Sequence, residues 1–420
     1  MRIAHLTAFM HGGASALRRI HAGLNQAGID SHVYAVCDGE SSPSQAITHL
    51  PVPRPSKWDR RKSKWASRLK LSTQYGWHSR IKTAAKENAD YEAFSPPAAL
   101  VDVDLSPVVA GADVLHVHWT GDVVDYRSFF GRIDMPVVWT LHDQNPYLGG
   151  FHYQGDVDAA TAMLDLEYEC RRIKRDAISN LNLAVVGNSR WNLQQSASTD
   201  VLPKTVIKET IYLPLPIEDY SPLDNRESKL SLGIPADRFV IGFACAAMGN
   251  RRKGLADLLH AIMLLPESVQ KQTTLISFGH PPSKTLKQQI PVQWLHQGQP
   301  SGGAEQSPIY SAMDVFVFPS IEEAFGQTAL ESLACQTPVV GTAVGGIPEM
   351  VIDGQTGLLT PARSPGLLCD AIMRLHDDPD ARKAMGIAGR KLAIDQHSPE
   401  PIAQQHIDLY RRLFSSHAAR

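Results

Sequence analysis

Two glutamates near the middle of the second half stand in a setting that suits a ligand site. Glu323 and Glu331 flank a turn that follows the apolar run Asp314–Phe318, which is typical of a buried strand in a parallel sheet. Open α/β sheets bind ligands at such turns. A helix is predicted directly after the turn, so its first backbone N–H groups can bind an anion. The residues that offer these N–H groups are Phe325, Gly326, Gln327 and Thr328.

A second turn, Met248–Gly254, contains three consecutive cations, Arg251, Arg252 and Lys253, between a predicted strand and a predicted helix. The dipole of a helix N-terminus repels cations, so we expect an anion to offset their charge. Arg and Lys bind a diphosphate through charge-assisted hydrogen bonds. The alternative is a solvated basic turn.

Histidines stand at the carboxyl end of a predicted strand in the first half. His116 and His118 face the same side of that strand, where they could ligate a metal or form hydrogen bonds in the core. No third ligand stands nearby in the sequence, so we expect no metal here. The next strand ends in His142 and Asp143.

Paired glycines, Gly12 and Gly13, follow the first predicted strand. They allow the backbone to approach a ligand closely, and the helix that follows can direct its N-terminus at a phosphate. Taken alone, such a pair is also an ordinary tight turn.

The order of these motifs resembles the retaining glycosyltransferases of family 4, which have the two-domain GT-B architecture. The two glutamates have the family's spacing, and the segments Ala334–Gly341, Gly345–Glu349 and Asp353–Leu359 are similar to the family's. The segment Trp139–Tyr153 resembles the branch that builds bacterial surface polysaccharides, of the colanic-acid type. The alternative for the glutamate pair is a surface helix with solvated side chains.

The resemblance implies how a donor would be held. Gly12 and Gly13 would lie against the donor sugar and its diphosphate. Glu323 would bind hydroxyl groups of the sugar, and Glu331 those of the ribose. Lys253, with the amides around Phe325–Thr328, would stabilise the departing diphosphate.

The resemblance also implies the residues around the reacting sugar. His118 would orient the donor and help to handle the acceptor proton, and His142 and Asp143 would line the acceptor side. The family's second diphosphate cation is an Arg that stands more than a helical turn before the Lys-Gly pair, in the stretch that reads Cys245–Met248 here and contains no Arg. Either Arg251 or Arg252 must therefore take its place.

The chain has two sets of alternating strand and helix patterns, which predict an α/β fold with two doubly wound Rossmann-like domains. In the first set, the predicted strands are Ile3–Thr7, His32–Val36, Val114–Val117, Val137–Leu141, Leu183–Val186 and Thr210–Leu213. In the second, they are Arg238–Ala244, Thr274–Phe278, Gln293–His296, Val315–Phe318 and Pro338–Gly341. A proline-rich linker separates domains 1–215 and 216–400. By resemblance, the domains would face each other across a cleft, and the last helix, 401–420, would return to the first domain.

The composition is ordinary for a globular protein, with 43% hydrophobic and 20% charged residues. The net charge is −2, so the molecule as a whole is not expected to bind a polyanion. The five cysteines are scattered, as in the reducing cytosol. No apolar stretch is long enough to span a bilayer. We expect a cytoplasmic protein, either free or peripheral on the inner face of the membrane.

Residues 54–86 combine many cations with interleaved tryptophan and tyrosine. This segment is either a solvated helix pair, a surface for anionic lipid headgroups or a single-strand nucleic-acid surface. We favour the membrane and expect no nucleic acid, because family members act on lipid-linked sugars.

The function that follows is retaining transfer of a hexosyl group (EC 2.4) from a nucleotide-diphosphate sugar to a saccharide or polyprenyl-linked saccharide in surface-polysaccharide synthesis. No cofactor or metal is expected, since Arg and Lys supply the positive charge. An Asp-x-Asp motif binds a metal in the other large glycosyltransferase architecture, where it follows a strand. Here Asp102-Val103-Asp104 precedes its strand, so we discount it as a metal site. The alternatives are a nucleotide-sugar epimerase of the same fold and an inactive relative that binds membrane or a partner.

Overall fold

The chain divides into two compact units in the computed structural model. Unit 1 comprises Met1–Leu213 and Glu400–Arg420, and unit 2 comprises Pro214–Pro399. The structure describes residues 1–9, 14–37, 46–52, 74–86, 91–204, 206–246 and 248–418.

Unit 1 is built on a seven-stranded parallel sheet with the order β3-β2-β1-β4-β5-β6-β7. Its strands are β1 Arg2–Thr7, β2 Asp30–Cys37, β3 Ile47–Pro51, β4 Val114–Val117, β5 Val137–Leu141, β6 Leu183–Gly187 and β7 Ile207–Thr210. Strands β4 and β5 are buried along their whole length. Continuous apolar runs of this kind form the centre of a parallel sheet, because helices cover both faces.

Unit 2 is built on a six-stranded parallel sheet with the order β10-β9-β8-β11-β12-β13. Its strands are β8 Phe239–Cys245, β9 Thr273–Gly279, β10 Gln293–His296, β11 Val315–Phe318, β12 Val339–Thr342 and β13 Gly357–Thr360. The predicted α/β class with two Rossmann-like domains is confirmed.

Helices connect the strands in both units. They are α1 Ser15–Gln26, α2 Gln74–Ala85, α3 Ser106–Val109, α4 Tyr126–Phe130, α5 Gln154–Ala159, α6 Leu164–Ile178, α7 Arg190–Ala197, α8 Asn225–Ser231, α9 Leu255–Leu264, α10 Glu267–Gln272, α11 Lys284–Lys287, α12 Gly303–Ser311, α13 Gln327–Ala334, α14 Pro365–Asp377, α15 Pro379–His397 and α16 Pro399–Ala418. No helix in the described part of the chain is both long and apolar enough to cross a membrane.

The last helix, α16, packs on unit 1. The Tyr410 hydroxyl lies 2.7 Å from Nδ1 of His116, and Asn182 donates a hydrogen bond to the carbonyl of Leu413. Residues at the end of the chain therefore complete the core around β4.

One strand prediction was wrong. The pattern predicted Thr210–Leu213, whereas β7 covers Ile207–Thr210 and pairs with β6 from Ala184 to Gly187. Ile211 and Leu213 are buried without being part of the sheet. Their apolar alternation reflects burial, although the N–H of Ile211 still donates a hydrogen bond to the carbonyl of Gly187 at 3.1 Å. The edge strand β7 before them is polar and has no strong apolar pattern.

Each sheet has a point where the strand order reverses, and this is where α/β sheets bind ligands. In unit 1 it lies between β1 and β4, and in unit 2 between β8 and β11. The cationic turn follows β8 and the glutamate turn follows β11, so both predicted donor motifs flank the reversal point of unit 2.

Candidate functional site

The cationic turn and the glutamate turn of unit 2 contact each other directly. Lys253 Nζ lies 2.6 Å from Glu323 Oε2, and Arg252 Nη1 lies 3.5 Å from the same oxygen. Arg252 also donates a hydrogen bond to the carbonyl of Glu322, and its own carbonyl accepts one from the N–H of Ile321 at 2.7 Å. The structure thus brings together Arg252, Lys253 and Glu323.

The charge of Glu323 is stabilised by these neighbours. Burial alone would raise the pKa of its carboxyl, but Lys253, Arg252 and the N–H of Phe325 together hold that pKa below its ordinary value. The carboxylate is therefore ionised at neutral pH. Arg251 is exposed, whereas Arg252 is half-buried, so Arg252 is the arginine that the fold directs at Glu323.

Two glycines shape these turns, and the first of them, Gly254, allows their close approach. Gly254 has φ of 69°, and a Cβ there would lie 1.9 Å from the carbonyl oxygen of Pro319. Gly326 has φ of 105° and caps α13, with the half-buried Gln327 and Thr328 in the first turn of that helix. Glycine adopts this left-handed backbone conformation at little cost, so each turn depends on its glycine.

Glu331, the second predicted carboxylate, is held by two tyrosines. Its Oε1 accepts a hydrogen bond from Tyr220 and its Oε2 accepts one from Tyr310, both at 3.1 Å. The side chain is buried on α13, and Phe325 is buried in the preceding turn. Sequence reasoning missed both tyrosines, because they lie far from Glu331 in the chain.

In unit 1, the histidine ends of β4 and β5 form a connected cluster with β1. His118 Nε2 lies 3.0 Å from His5 Nδ1, and His118 Nδ1 lies 2.8 Å from His142 Nε2. His116 contacts Tyr410 through Nδ1 and Thr140 Oγ1 through Nε2. Burial lowers the pKa of His5, His116 and His118 well below the ordinary value, so these rings are neutral.

His5 is the third histidine that the sequence did not reveal, since it lies on β1, one strand away. The ligating atoms of His5, His116 and His118 lie within 4.8 Å of one another. The rings of His116 and His118 pack against each other, with centroids 4.2 Å apart and planes tilted by 32°. Both nitrogens of His116 are also engaged by hydroxyl groups.

His142 and Asp143, although adjacent, have different surroundings. The ring of His142 stacks on Trp119 with centroids 3.8 Å apart. Asp143 instead pairs with His152, whose Nδ1 lies 2.8 Å from its Oδ2, and it also accepts a hydrogen bond from the N–H of Asn145. Burial would lower the pKa of His152, but Asp143 raises it above its ordinary value. Asp143 therefore anchors its own loop.

Two buried charges on α6 complete that anchor. Glu167 accepts hydrogen bonds from the N–H groups of Gly149 at 2.6 Å and Gly150 at 2.7 Å, and Lys174 donates to the side-chain and main-chain oxygens of Asn145. Both side chains are fully buried. Their signal in the sequence was a charge on the apolar face of an amphipathic helix.

Two predicted regions lie wholly or partly outside the described residues. Gly12 and Gly13 are outside, as is most of the basic segment 54–86. In the described part of that segment, Arg80 pairs with Glu169 and lies over the ring of Trp77, whereas Lys82 and Lys86 are exposed.

Residues 238–378, which contain both donor motifs, match the family model described as glycosyl transferases group 1. This part of unit 2 is therefore similar to the group 1 glycosyltransferases. Among curated relatives, an alpha-maltose-1-phosphate synthase from Mycolicibacterium smegmatis is 32% identical over 43% of this chain. A D-inositol 3-phosphate glycosyltransferase from Corynebacterium diphtheriae is 29% identical over 66% of it. The chain spans 50% and 65% of the length of these two relatives.

Solved structures share the fold of the whole chain. Sucrose-phosphate synthase from Thermosynechococcus elongatus aligns with a TM-score of 0.72 and 20% identity, covering 99% of this chain and 100% of its own. HepE from Anabaena, in complex with UDP and glucose, aligns with a TM-score of 0.65 and 17% identity, covering 98% and 100%. The chain thus has the GT-B fold expected from the sequence.

Proposed function

We propose that the chain is a retaining glycosyltransferase that takes a hexosyl group from a nucleoside-diphosphate sugar. The observation that carries this proposal is the contact of Lys253 and Arg252 with Glu323 at the strand-order reversal of unit 2. The two cations suit a diphosphate, and an ionised carboxylate suits sugar hydroxyls. Gly12 and Gly13 would complete the donor site, and Glu331, oriented by its tyrosines, would bind the ribose.

The reaction breaks the bond between the anomeric carbon and the diphosphate oxygen and forms one from that carbon to the acceptor oxygen. Lys253, Arg252 and the first amides of α13 stabilise the charge that develops on the leaving diphosphate. A diphosphate oxygen takes the acceptor proton. Attack from the leaving-group face retains the anomeric configuration. The residues of this chain supply the electrostatic stabilisation, so we propose that no metal or other cofactor is required.

For the acceptor we propose a saccharide or polyprenyl-linked saccharide in surface-polysaccharide synthesis, with His142 on the acceptor side. This rests on the resemblance of Trp139–Tyr153 to that branch of the family. The names of the relatives favour a second candidate, a small phosphorylated cyclitol or sugar. The two differ in their need for a lipid, which a transfer assay with each acceptor class would separate.

A lipid-linked acceptor would bring the protein to the inner face of the membrane. The exposed Lys82 and Lys86 on and after α2 support binding to anionic lipid headgroups. We therefore propose a cytoplasmic protein that binds the membrane peripherally. Flotation with vesicles of phosphatidylglycerol, compared with phosphatidylcholine alone, tests this step.

The donor is tested first by thermal shift with UDP, GDP and ADP, and by release of nucleoside diphosphate from UDP-glucose. UDP comes first because the HepE structures contain UDP and UDP-glucose. Lys253→Met should abolish the shift, whereas Lys271→Met, an exposed lysine of the same unit, should leave it unchanged. Equal shifts in both variants would contradict the proposal. Epimerisation of the donor without hydrolysis would favour the epimerase, and the absence of binding by any nucleotide would favour the inactive relative.

A further inference from the structure

Three histidines of unit 1 form a hydrogen-bonded chain with one buried end and one accessible end. His5 is fully buried, His118 is buried, and His142 is half-buried. Both ring nitrogens of His118 are engaged, by His5 on one side and His142 on the other. His118 therefore has no nitrogen left for a substrate, and His142 is the only member of the chain that could meet one.

The buried end fixes the direction of the hydrogen bonds. Nε2 of His5 has no hydrogen-bond partner among the described residues. A buried N–H without an acceptor is rarer in folded proteins than an acceptor without a donor. The favoured arrangement therefore leaves Nε2 of His5 unprotonated and places its proton on Nδ1, which then donates to Nε2 of His118.

The same direction then passes along the chain. A neutral imidazole donates through one nitrogen and accepts through the other. Because His118 accepts at Nε2, it must donate from Nδ1 to Nε2 of His142. His142 accepts at Nε2 and so carries its proton on Nδ1, directed away from the chain.

We propose that His5 and His118 are positioning residues that hold His142 as a neutral imidazole with its Nδ1–H directed outward, ready to donate a hydrogen bond to an oxygen of a saccharide hydroxyl. The hydroxyl as ligand rests on the proposed function, whereas the tautomers of the free protein do not. Stacking of His142 on Trp119 fixes the plane of the ring, and the Trp139 indole N–H holds the carbonyl of His118 at 3.2 Å.

The charge state of the cluster agrees with this arrangement. Burial lowers the pKa of His5 and His118 well below the ordinary value, and it lowers that of His142 to about 3. The other titratable groups that face these three histidines are His21 on α1, His32 on β2, His116 on β4, Asp143 after β5 and His406 on α16. The lowered pKa values keep all three rings of the chain neutral at pH 7.

The first test needs no substrate. Two-bond ¹H–¹⁵N correlation spectra of the full-length protein labelled with [¹⁵N]histidine report which nitrogen of each ring is protonated. We expect the Nδ1–H tautomer for His5, His118 and His142 at pH 7. A proton on Nε2 of His5, or a charged His118, would overturn the proposal.

The second test breaks the chain at its buried end. Asn carries a side-chain N–H at about the position of Nδ1, whereas Leu carries none. His5→Asn should keep the tautomer of His142, and His5→Leu should convert part of His142 to the Nε2–H form. If both variants keep His142 unchanged while remaining folded by thermal melting, or if His5→Asn changes it as much as His5→Leu does, His5 does not set the tautomer.

The third test asks whether the three hydrogen-bonded histidines affect turnover. With UDP-glucose as donor, His5→Leu should lower kcat at least about tenfold, since small displacements of a positioned group have such effects. The KM for UDP-glucose should stay unchanged, and His5→Asn should restore the rate. His260→Asn, at an exposed histidine of unit 2, is the control. A rise in KM with unchanged kcat would contradict the positioning, whereas absence of any turnover in the unmodified protein would contradict the proposed function alone.

Discussion

The proposed donor site depends most on the carboxylate of Glu323. It is ionised because Lys253 and Arg252 outweigh the effect of its burial. Glu323→Gln keeps the size of the side chain but removes the charge that Lys253 and Arg252 pair with. We expect the release of UDP from UDP-glucose to fall at least about 100-fold, as it does when one group that stabilises a transition state is removed.

The matched control is Glu267→Gln, which removes a glutamate from an exposed ion pair with Lys271 in the same unit. Its turnover should equal that of the unmodified protein. If Glu323→Gln retained full turnover while Lys253→Met lost it, Glu323 would serve only to position the lysine.

Glu167 carries a structural charge that unit 1 cannot readily lose. It is fully buried and accepts hydrogen bonds from the N–H groups of Gly149 and Gly150 and from Arg171 Nε at 2.8 Å. In Glu167→Gln, the new amide N–H₂ would face groups that already donate. Urea unfolding should show a loss of about 3 kcal/mol, as expected when a buried charged partner is removed.

Glu169→Gln on the same helix provides the comparison. Its side chain is partly exposed and pairs with Arg80, so the loss should be below about 1 kcal/mol. Equal losses in the two variants would mean that the Gly149–Phe151 loop does not depend on Glu167.

The contact between the turns after β8 and β11 depends on one glycine. Gly254→Ala would place a Cβ 1.9 Å from the carbonyl oxygen of Pro319, in a backbone conformation with φ of 69°. Gly233 has nearly the same φ, 73°, but has no atom within 4 Å of a Cβ. Gly233→Ala therefore measures the conformational cost alone, about 1 kcal/mol.

Gly254→Ala should cost more in urea unfolding and should also weaken the thermal shift with UDP, because the turn that carries Lys253 must move. Gly233→Ala should leave that shift unchanged. Identical effects of the two substitutions on nucleotide binding would show that the close approach of the turns does not position Lys253.

The elements that the sequence predicted well are those with continuous apolar runs. β4, β5 and β11 have the predicted bounds, because central parallel strands consist largely of apolar residues. The partly exposed edge strand β10 also has the predicted bounds. β3 and β13 were missed: the first is a partly exposed edge strand, and the second is a four-residue strand directly after a turn.

The site was predictable to the extent that its residues lie on adjacent loops. Glu323, Arg252 and Lys253 follow strands that α/β topology places side by side, so their proximity could be expected. His5, Tyr220 and Tyr310 could not be found in this way. Each becomes part of a cluster only through register or packing between elements distant in the chain, which a single sequence does not encode locally.

At the level of the whole chain, the two units use the same topological feature for different chemistry. The strand order of unit 1 reverses between β1 and β4, where His5 and His118 meet, and that of unit 2 reverses between β8 and β11, where Lys253 and Glu323 meet. Neutral imidazoles gather at the first point and paired charges at the second. The stability of the two units should therefore respond differently to acid, and that of unit 1 should fall more.

Histidines of unit 1 whose pKa is lowered by burial make the stability of this unit dependent on pH. Burial lowers their pKa, to about 3 for His142 and about 4 for His406 and well below the ordinary value for His5, His116 and His118. The unfolded chain binds protons at these residues as the pH falls below about 6.5, and the folded chain does not. The stability they provide is thus present above pH 6.5 and is lost on acidification, by about 1.4 kcal/mol per pH unit for each histidine. His152 opposes this trend, because Asp143 raises its pKa.

His406→Leu tests this dependence with little disturbance, because Nδ1 of His406 has no hydrogen-bond partner among the described residues. Urea unfolding between pH 7.5 and pH 5 should show a loss of stability that is shallower than in the unmodified protein by about 1.4 kcal/mol per pH unit below 6.5. If His406→Leu left the slope unchanged, His406 would bind its proton equally well in the folded protein, and burial would not be what keeps this cluster neutral.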